Sequence, residues 1–454
     1  MTALATDGAS LNGLLALHAP DGLFSAKVNL AFALLVAAAL FVAVRAVRKR
    51  ADARLAPLMG IMAAFVFAAQ MVNFPIASGT TGHLLGGVLA AVLLGPGAAT
   101  AVMATVIFFQ ALLGDGGLTA LGPNIFNMGV LGTAFGYAVY RTLLGNLPQA
   151  TVGDDFAHRP ARVIAAAAFA SWVAVVLASV CASLQLAASE TVSLSRALPA
   201  MVGVHMLIGL GEAIITACIV SFVLRTRPEL LFRPQATPAP ALPRGALAFG
   251  ISAALVTGTL LSLLPHWWDH PDGLEFVGIE QGFLPEEPEI GNEARLLSLP
   301  AYPLGVRLAV VDGRVTAVHQ YQALRSLLVV GDVIEQIGPT RIRDLADAAA
   351  ALRFDPEQNT CGVAAGTVLE VLVRRRGQPL WLHMLALAGP KAAGQKPLVA
   401  LMPDYQFPGM SGLLGTSLAG AAGTIIMFLV SRLLGWVLTR PGKLTKALES
   451  SADR

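Results

Sequence analysis

Apolar runs of membrane-spanning length, separated by short basic loops, constrain this chain more than anything else in it. In lipid a backbone N–H or C=O finds no water to bond. Each run must therefore close its own hydrogen bonds as a helix, and about 17–25 residues cross the hydrocarbon. The runs are Val28 to Val47, Leu55 to Phe74, Asn124 to Leu144, Val163 to Ala187, Met201 to Leu224, Ala246 to Leu264 and Leu413 to Leu438. A shorter pair, His83 to Leu94 and Ala98 to Leu113, is split by Gly95-Pro96-Gly97. Together they make about nine spans. Composition agrees, with 55% hydrophobic and only 13% charged residues, about half the charge of an ordinary soluble domain.

The basic residues give the runs a direction. Arg45, Arg48, Lys49, Arg50 and Arg54 form the densest cluster. His158, Arg159 and Arg162 mark a second loop, Arg225, Arg227, Arg233 and Arg244 a third, and Arg440, Lys443 and Lys446 the tail. With nine spans all of them fall on one side, which the positive-inside rule makes cytoplasmic. The N-terminus and residues 265–410 then lie outside, and the C-terminus inside. The expected organisation is an N-terminal extension 1–17, a transmembrane domain 18–226, a Pro- and Ala-rich cytoplasmic linker 227–245, a span 246–264, an outer domain 265–410, a last span 411–438 and a tail 439–454. Net charge is +3, carried at helix ends and not along a stripe, which argues against a nucleic-acid partner. Cys181, Cys218 and Cys361 form no CxxC and no disulfide framework.

Residues 265–410 read as a different material, with charge, alternation and turn residues. Val306 to Val311, Val329 to Gln336 and Val368 to Arg374 predict strands, Asp312-Gly313 a turn, and Ile342 to Leu352 a short helix. The fold class is therefore mainly α, a polytopic transmembrane helical bundle with a small α+β extracytoplasmic domain.

Two resemblances give these parts a context. The first rests on Gly79-Thr80-Thr81-Gly82-His83-Leu84-Leu85-Gly86-Gly87, on Gln110-Ala111-Leu112-Leu113-Gly114-Asp115-Gly116-Gly117-Leu118-Thr119, and on Asn124-Ile125-Phe126-Asn127. It also rests on His18-Ala19-Pro20-Asp21-Gly22 and on His205 with Gly209, Gly211 and Glu212. Leu17 to Arg225 resembles the CbiM/NikM family, the membrane-embedded substrate-binding (S) components of energy-coupling-factor transporters for cobalt and nickel. The second rests on Pro271-Asp272-Gly273-Leu274-Glu275, which resembles the PDGLE signature of the small CbiN/NikN companion subunit. The last two spans resemble that subunit, fused to the first. Within the outer domain, Leu304-Gly305-Val306-Arg307-Leu308, Gly331-Asp332-Val333-Ile334, Leu345 to Leu352 and Val371 to Gly377 together resemble a PDZ domain.

The first resemblance implies a Co²⁺ or Ni²⁺ substrate, a bacterial or archaeal cytoplasmic membrane, a membrane coupling (T) subunit and cytoplasmic ATPases. It implies a metal site built from a free N-terminal amine, the amide and imidazole of the next residue, and the His of the Gly-rich loop. Carried onto this chain, the ligands are His18, His83 and the amine of Leu17. The chain departs from the pattern, because an amine at Leu17 requires cleavage after Ala16. Met1 to Ala16 lacks the basic start and apolar core of a signal peptide. Without cleavage, His18 binds through its imidazole alone. Imidazole nitrogens suit both nickel and cobalt.

Gln110, Asp115, Asn124 and Asn127 bracket an outer loop and are candidates to support metal-bound imidazoles, which usually donate their second N–H to a carboxylate or carbonyl. Asn124 also reads as a helix cap. His205 and Glu212 are seven residues apart and share a helix face. They read either as support for the metal or as a buried pair fixing helix packing. His266, Asp269 and His270, with Trp267 and Trp268, are a candidate outer metal-collecting cluster. Ala33 and Ala37 make a small-residue pair on the first span. In the PDZ-like part, Leu304, Gly305 and Val306 are the candidate loop for a peptide carboxylate, and a sensor that binds peptides there is the alternative function.

Several chemistries are excluded. No GxxxxGK[ST] loop is present, so ATP hydrolysis by that route is absent and energy must come from partner subunits. No His is followed by Glu and a second His in HExxH spacing, which removes an intramembrane metalloprotease. A passive channel needs a polar path, and the spans carry few ionisable groups besides His205 and Glu212.

Overall fold

The structure is a computed structural model. It describes residues 18–49, 54–71, 73–77, 80–145, 160–232, 273–281, 284, 296–321, 324, 326–355, 360–387, 401, 410 and 412–439. These fall into two compact units, a larger one drawn from 18–189, 198–274 and 401–439 and a smaller one from 190–197 and 275–387.

The larger unit is helical. Helix α1 (Ala26–Arg48) is capped by Ser25, whose side chain accepts from the Val28 N–H, and ends with Arg45 and Arg48 near its unsatisfied carbonyls. One face carries Leu30, Leu34, Leu35, Phe41 and Val42, all exposed, which is the pattern of a lipid-facing helix. Ala33 and Ala37 are exposed on this helix too. Helix α2 (Leu55–Gln70) stops short of the expected Phe74. Pro75 disfavours helix at the residue before it and lacks an N–H. Phe74 joins instead a hairpin of β1 (Asn73–Ala77) and β2 (Thr80–His83), which delivers His83.

Gly95 then turns the chain at φ 84°, ending α3 (Gly87–Leu94), and Pro96 opens α4 (Pro96–Leu113). The run from Leu121 to Leu144 is continuous helix, with α5 (Leu121–Asn124) and α6 (Gly136–Leu144) flanking a π-helical segment, Ile125–Phe135. Gly132 of that segment lies so close to Gly87 that a Cβ on Gly87 would sit 3.0 Å from the Gly132 Cα. Two long helices follow, α7 (Pro160–Ala188) and α8 (Leu194–Thr226).

Helix α9 (Gly273–Glu280) comes next in the chain. The C-terminal helix (Gly412–Thr439) packs along α2. A Cβ on Gly423 would collide with the Phe67 ring, one on Gly60 would stand 2.8 Å from the Phe428 carbonyl, and one on Gly435 2.7 Å from the Ala56 Cα. This is the small-residue approach that helix packing in lipid uses, where apolar burial drives little.

Among the described residues, five helices are long and apolar enough to cross a membrane, and Leu55–Gln70 is a shorter apolar helix. The expected span 246–264, the His266–His270 cluster and Leu17 lie outside the described residues.

The smaller unit holds an antiparallel sheet. Its strands are β3 (Ser298–Ala301), β4 (Val306–Val311), β5 (Arg314–Gln320), β6 (Val333–Ile337), β7 (Thr340–Arg341), β10 (Val368–Arg375) and β11 (Gln378–Leu385), while β8 (Phe354–Asp355) and β9 (Thr360–Cys361) form a separate pair. The order is β11-β10-β6-β5-β4-β3, with β7 paired to β6. Asp312 and Gly313 both take positive φ, 49° and 72°, and so make the tight turn expected between β4 and β5.

The strand expected from Val329 begins instead at Val333. Asp332 bonds the Val329 N–H at 3.0 Å and pairs with Arg375 at 2.7 Å, and Gly331 turns at φ 93°. The short helix α10 (Leu345–Ala351) starts where Asp344 caps it, accepting from the Asp347 N–H at 2.9 Å. Leu299, Leu308, Ala317, Ala348, Val371 and Val373 are fully buried in the core of this unit.

Candidate metal centre

Two loops build the site. The segment after the N-terminal extension lies on the loop Gly114–Thr119 and is held there, and by Asn124 beyond it, through a set of hydrogen bonds. Gly117 donates its N–H to the Ala19 carbonyl at 2.9 Å. Asn124 grips Ala19 from both sides, accepting from its N–H at 3.1 Å and donating to its carbonyl at 3.0 Å. Asp21 accepts from the N–H and the hydroxyl of Thr119 at 2.7 and 2.6 Å. Glycine is required here for space. A Cβ on Gly117 would collide with the Asp21 nitrogen, and one on Gly116 would lie 2.7 Å from the His18 Cβ.

So placed, His18 is buried and its Nδ1 donates to Asp115 Oδ1 at 3.0 Å. His83 is buried at the end of β2, with Nδ1 3.2 Å from the Leu84 carbonyl. A carboxylate and a carbonyl only accept, so in both rings Nδ1 carries the hydrogen and Nε2 is the lone-pair nitrogen. The two ring centroids are 5.9 Å apart and tilted by 54°.

The loop after His83 is held from a distance. Glu212 of α8 accepts from the Leu85 and Gly86 N–H groups at 2.8 and 2.9 Å, and Gln70 donates to the Leu85 carbonyl at 2.9 Å. Glu212 thus positions the His83 loop and does not pair with His205. His205 donates its Nδ1 hydrogen to the Met201 carbonyl one turn back, at 2.8 Å. Asn127 forms a reciprocal amide pair with Gln185, at 2.7 and 2.9 Å. Gln110 is fully buried. Its carbonyl accepts from Gly114 and Asp115, while its side-chain amide has no hydrogen bond among the described residues.

A cavity of about 80 Å³ opens between these parts, lined by His18, His83 and His205, by Asn124 and Asn127, and by Met128 and Met201. Gly273 and Leu274 of the Pro271–Glu275 pentapeptide line it too. A Cβ on Gly273 would stand 3.1 Å from the His205 ring. Among the described residues, no three His, Cys, Asp or Glu side chains are grouped as a ready metal cage.

Asp115, Asn124, Asn127, His205 and Glu212 therefore all reach the two loops or the cavity, whereas Gln110 acts through its backbone. Asn124 clamps Ala19 and its side chain caps no helix. Asp21, Thr119, Gln70 and Gln185 were not among the expected site residues. Asp21 and Thr119 sit within the quoted motifs, while Gln70 and Gln185 carry no sequence signal. In the smaller unit, Leu304 ends a short 3₁₀ turn and Gly305 follows at φ 69°. The outer edge of β4, which starts at Val306, is already paired by Ser298–Ala301, with Ala301 opposite Val306 and Leu299 opposite Leu308.

Fold and site together define an integral membrane protein with paired imidazoles set against a cavity inside its helical bundle. Residues 18–230 match the family model of CbiM, the cobalt uptake substrate-specific transmembrane region, and residues 385–440 match the PDGLE domain. The second match covers the C-terminal helix and its approach, and the Pro271–Glu275 pentapeptide lies outside it.

A putative fused nickel transport protein NikMN of Archaeoglobus fulgidus is 36% identical over 243 residues, 53% of this chain and 74% of its own. A putative metal transport protein of Haloquadratum walsbyi is 34% identical, covering 48% of this chain and 94% of its own. The fused nickel transport protein NikMN of Rhodobacter capsulatus is 34% identical over 313 residues, 63% of this chain and 87% of its own. The chain belongs to the CbiM family, joined to a PDGLE domain.

Proposed function

We propose that this chain is the substrate-binding component of an ATP-driven energy-coupling-factor transporter that takes up Co²⁺ or Ni²⁺. The observation that carries the reading is the His18–His83 pair, 5.9 Å apart, each ring fixed through Nδ1 to a protein acceptor. Anchored imidazoles with Nε2 as the lone-pair atom are what a borderline divalent ion needs to exchange its water for nitrogen. Asp115 orients His18, Glu212 and Gln70 hold the His83 loop, and Asn124 holds the segment that carries His18. If processing exposes an amine at Leu17, that amine and the His18 amide complete a four-nitrogen set. Otherwise the two imidazoles bind with water.

Cytoplasmic ATPases and a membrane coupling subunit supply the energy, since the chain has no P-loop of its own. In this reading the chain makes nine passes, with the N-terminus and the sheet unit outside and the C-terminus inside. The peptide-sensor alternative is weakened by the occupied edge of β4.

The test is metal binding by the purified chain, wild type beside His83→Ala, with nickel, cobalt and zinc in competition. One tight equivalent of nickel or cobalt, weakened at least a hundredfold in His83→Ala, is the expected result. Binding indifferent to His83 would sink the site. N-terminal sequencing separates the two versions of the ligand set, and an intact Met1 removes the amine.

A further inference from the structure

We propose that the cavity contains a second metal station, in which His205 is the imidazole ligand and the thioethers of Met128 and Met201 lie beside it. The proposal rests on the metal-uptake reading above and extends it to how the ion leaves the His18–His83 pair.

His205 sits in a helix of membrane-spanning length, where a polar side chain is costly and needs a reason. The obvious structural reason, a pair with Glu212 two turns on, is absent, because Glu212 spends both carboxylate oxygens on the Leu85 and Gly86 amides. What remains is one bond, from Nδ1 to the Met201 carbonyl at 2.8 Å. A carbonyl has no hydrogen to give, so Nδ1 carries the proton and Nε2 carries the lone pair. Among the described residues Nε2 has no hydrogen bond, and the ring lines the same cavity as His18 and His83. The anchoring is that of a metal-binding imidazole, a back-side N–H tied to the backbone and a lone pair turned elsewhere.

Met128 and Met201 line the cavity as well, and a thioether sulfur is a weak, soft donor that would add only a loose contact for a borderline ion held by the imidazole. His205 does not complete a three-residue cage with the other two histidines. The cavity, at about 80 Å³, has room for an ion and several waters beyond a single bound position. A weaker station with few protein ligands beside the His18–His83 pair lets an ion leave that pair by exchanging one imidazole for another, and does not hold it too tightly to move on. No redox step or proton transfer is needed.

The experiment titrates the purified full chain with Ni²⁺ against a chromophoric chelator and repeats it with Co²⁺, reading its absorption spectrum. His205→Ala, His205→Gln and His83→Ala are compared with wild type. Wild type is expected to bind a tight equivalent and a weaker second one. His205→Ala and His205→Gln keep the tight equivalent within about threefold and lose the second, and added imidazole restores it in His205→Ala. Met201→Leu, which leaves the backbone carbonyl in place, weakens the second equivalent and shifts the Co²⁺ spectrum.

The proposal is overturned if wild type binds only one equivalent up to millimolar metal, or if the second survives both His205 variants. It is overturned equally if His205→Gln restores what His205→Ala loses, since a hydrogen-bonding role would then suffice. His83→Ala reports on the first site independently. Loss of only the tight equivalent leaves both readings standing, and retention of both equivalents fails the first site without touching the second.

Discussion

The two units of this chain are held together by different physics. In the helical unit the decisive contacts are matters of shape. Gly423 admits the Phe67 ring, Gly60 admits the Phe428 backbone, and Gly117 admits the backbone of Asp21, each where a methyl group would collide. In the sheet unit the contacts that define turns, caps and register are polar, laid over an apolar core. Asp332 pairs with Arg375 and bonds Val329, Asp344 caps a helix, and ladders of backbone bonds set the register. Lipid offers apolar surface little reason to associate, so close approach must do the work. Water makes apolar burial strong and polar pairing weak at the surface, so buried polar groups there refine a core that is already stable. The site belongs to the first kind, with loops fitted by glycine and then locked by hydrogen bonds.

The largest effect expected from this contrast is at Gly117. Gly117→Ala puts a Cβ against backbone that has nowhere to go. Overpacking of this kind costs about 3 kcal/mol, equivalent to about a hundredfold in affinity if the cost falls on the metal-bound form. The His18 segment should lift from the Gly114–Thr119 loop, weakening the tight equivalent of nickel or cobalt by about that factor. Helix content by circular dichroism should not change. Wild-type affinity in this variant would mean that the segment is not held by shape.

Much of this was legible in the chain, and the failures have causes. Span-length runs announce themselves because lipid tolerates little else, and His18, His83 and the Gly-rich loop stand out as motifs. The strand Val306–Val311 was read with its observed limits. Other elements were hidden. The helix after Leu55 ends early because Pro75 acts backwards on Phe74. Ser298–Ala301 is four residues with a proline, too short to show alternation, yet all four are buried. Spacing placed His205 and Glu212 on one face, but a shared face does not choose a partner, and Glu212 found the free amides of Leu85 and Gly86. Gly116 and Gly117 stand in the quoted loop motif as small residues, and the structure shows that Gly116 turns the chain at φ 100° while both make room for the His18 segment. The two-sided clamp of Asn124 on Ala19 joins residues 105 apart and leaves no local trace.

A smaller effect is expected in the sheet unit. Asp332 is buried and bonds both Arg375 and the Val329 N–H. In Asp332→Asn the charge is lost and one acceptor becomes a donor. Hydrogen bonds to charged groups contribute about 1.5–3 kcal/mol, so the sheet unit should melt earlier by that measure. Metal affinity should stay at the wild-type value, because the loops that hold His18 and His83 are fixed by other residues. A parallel loss of metal affinity would show that the two units are energetically one.

The smallest effect of a substitution is read at Cys361, whose reactivity measures how tightly β3 is seated. Burial pushes its thiol up to about 12, against a smaller opposing pull from the backbone near Tyr302. Its sulfur lies 3.8 Å from the Pro300 carbonyl in β3. Only the thiolate attacks an alkylating reagent, and each unit of pKa elevation removes about nine-tenths of it. At pH 8, Cys361 should therefore react about a thousandfold more slowly than an ordinary exposed thiol, in a chain carrying Cys181→Ser and Cys218→Ser. The rate should climb with pH until it nears the raised pKa. Asp332→Asn, by loosening the sheet, should speed it modestly at fixed pH. A Cys361 that reacts at once at pH 8 would mean that Ser298–Ala301 leaves the edge of β4 readily. That edge would then be open to a partner strand, and the peptide-sensor reading would regain its site.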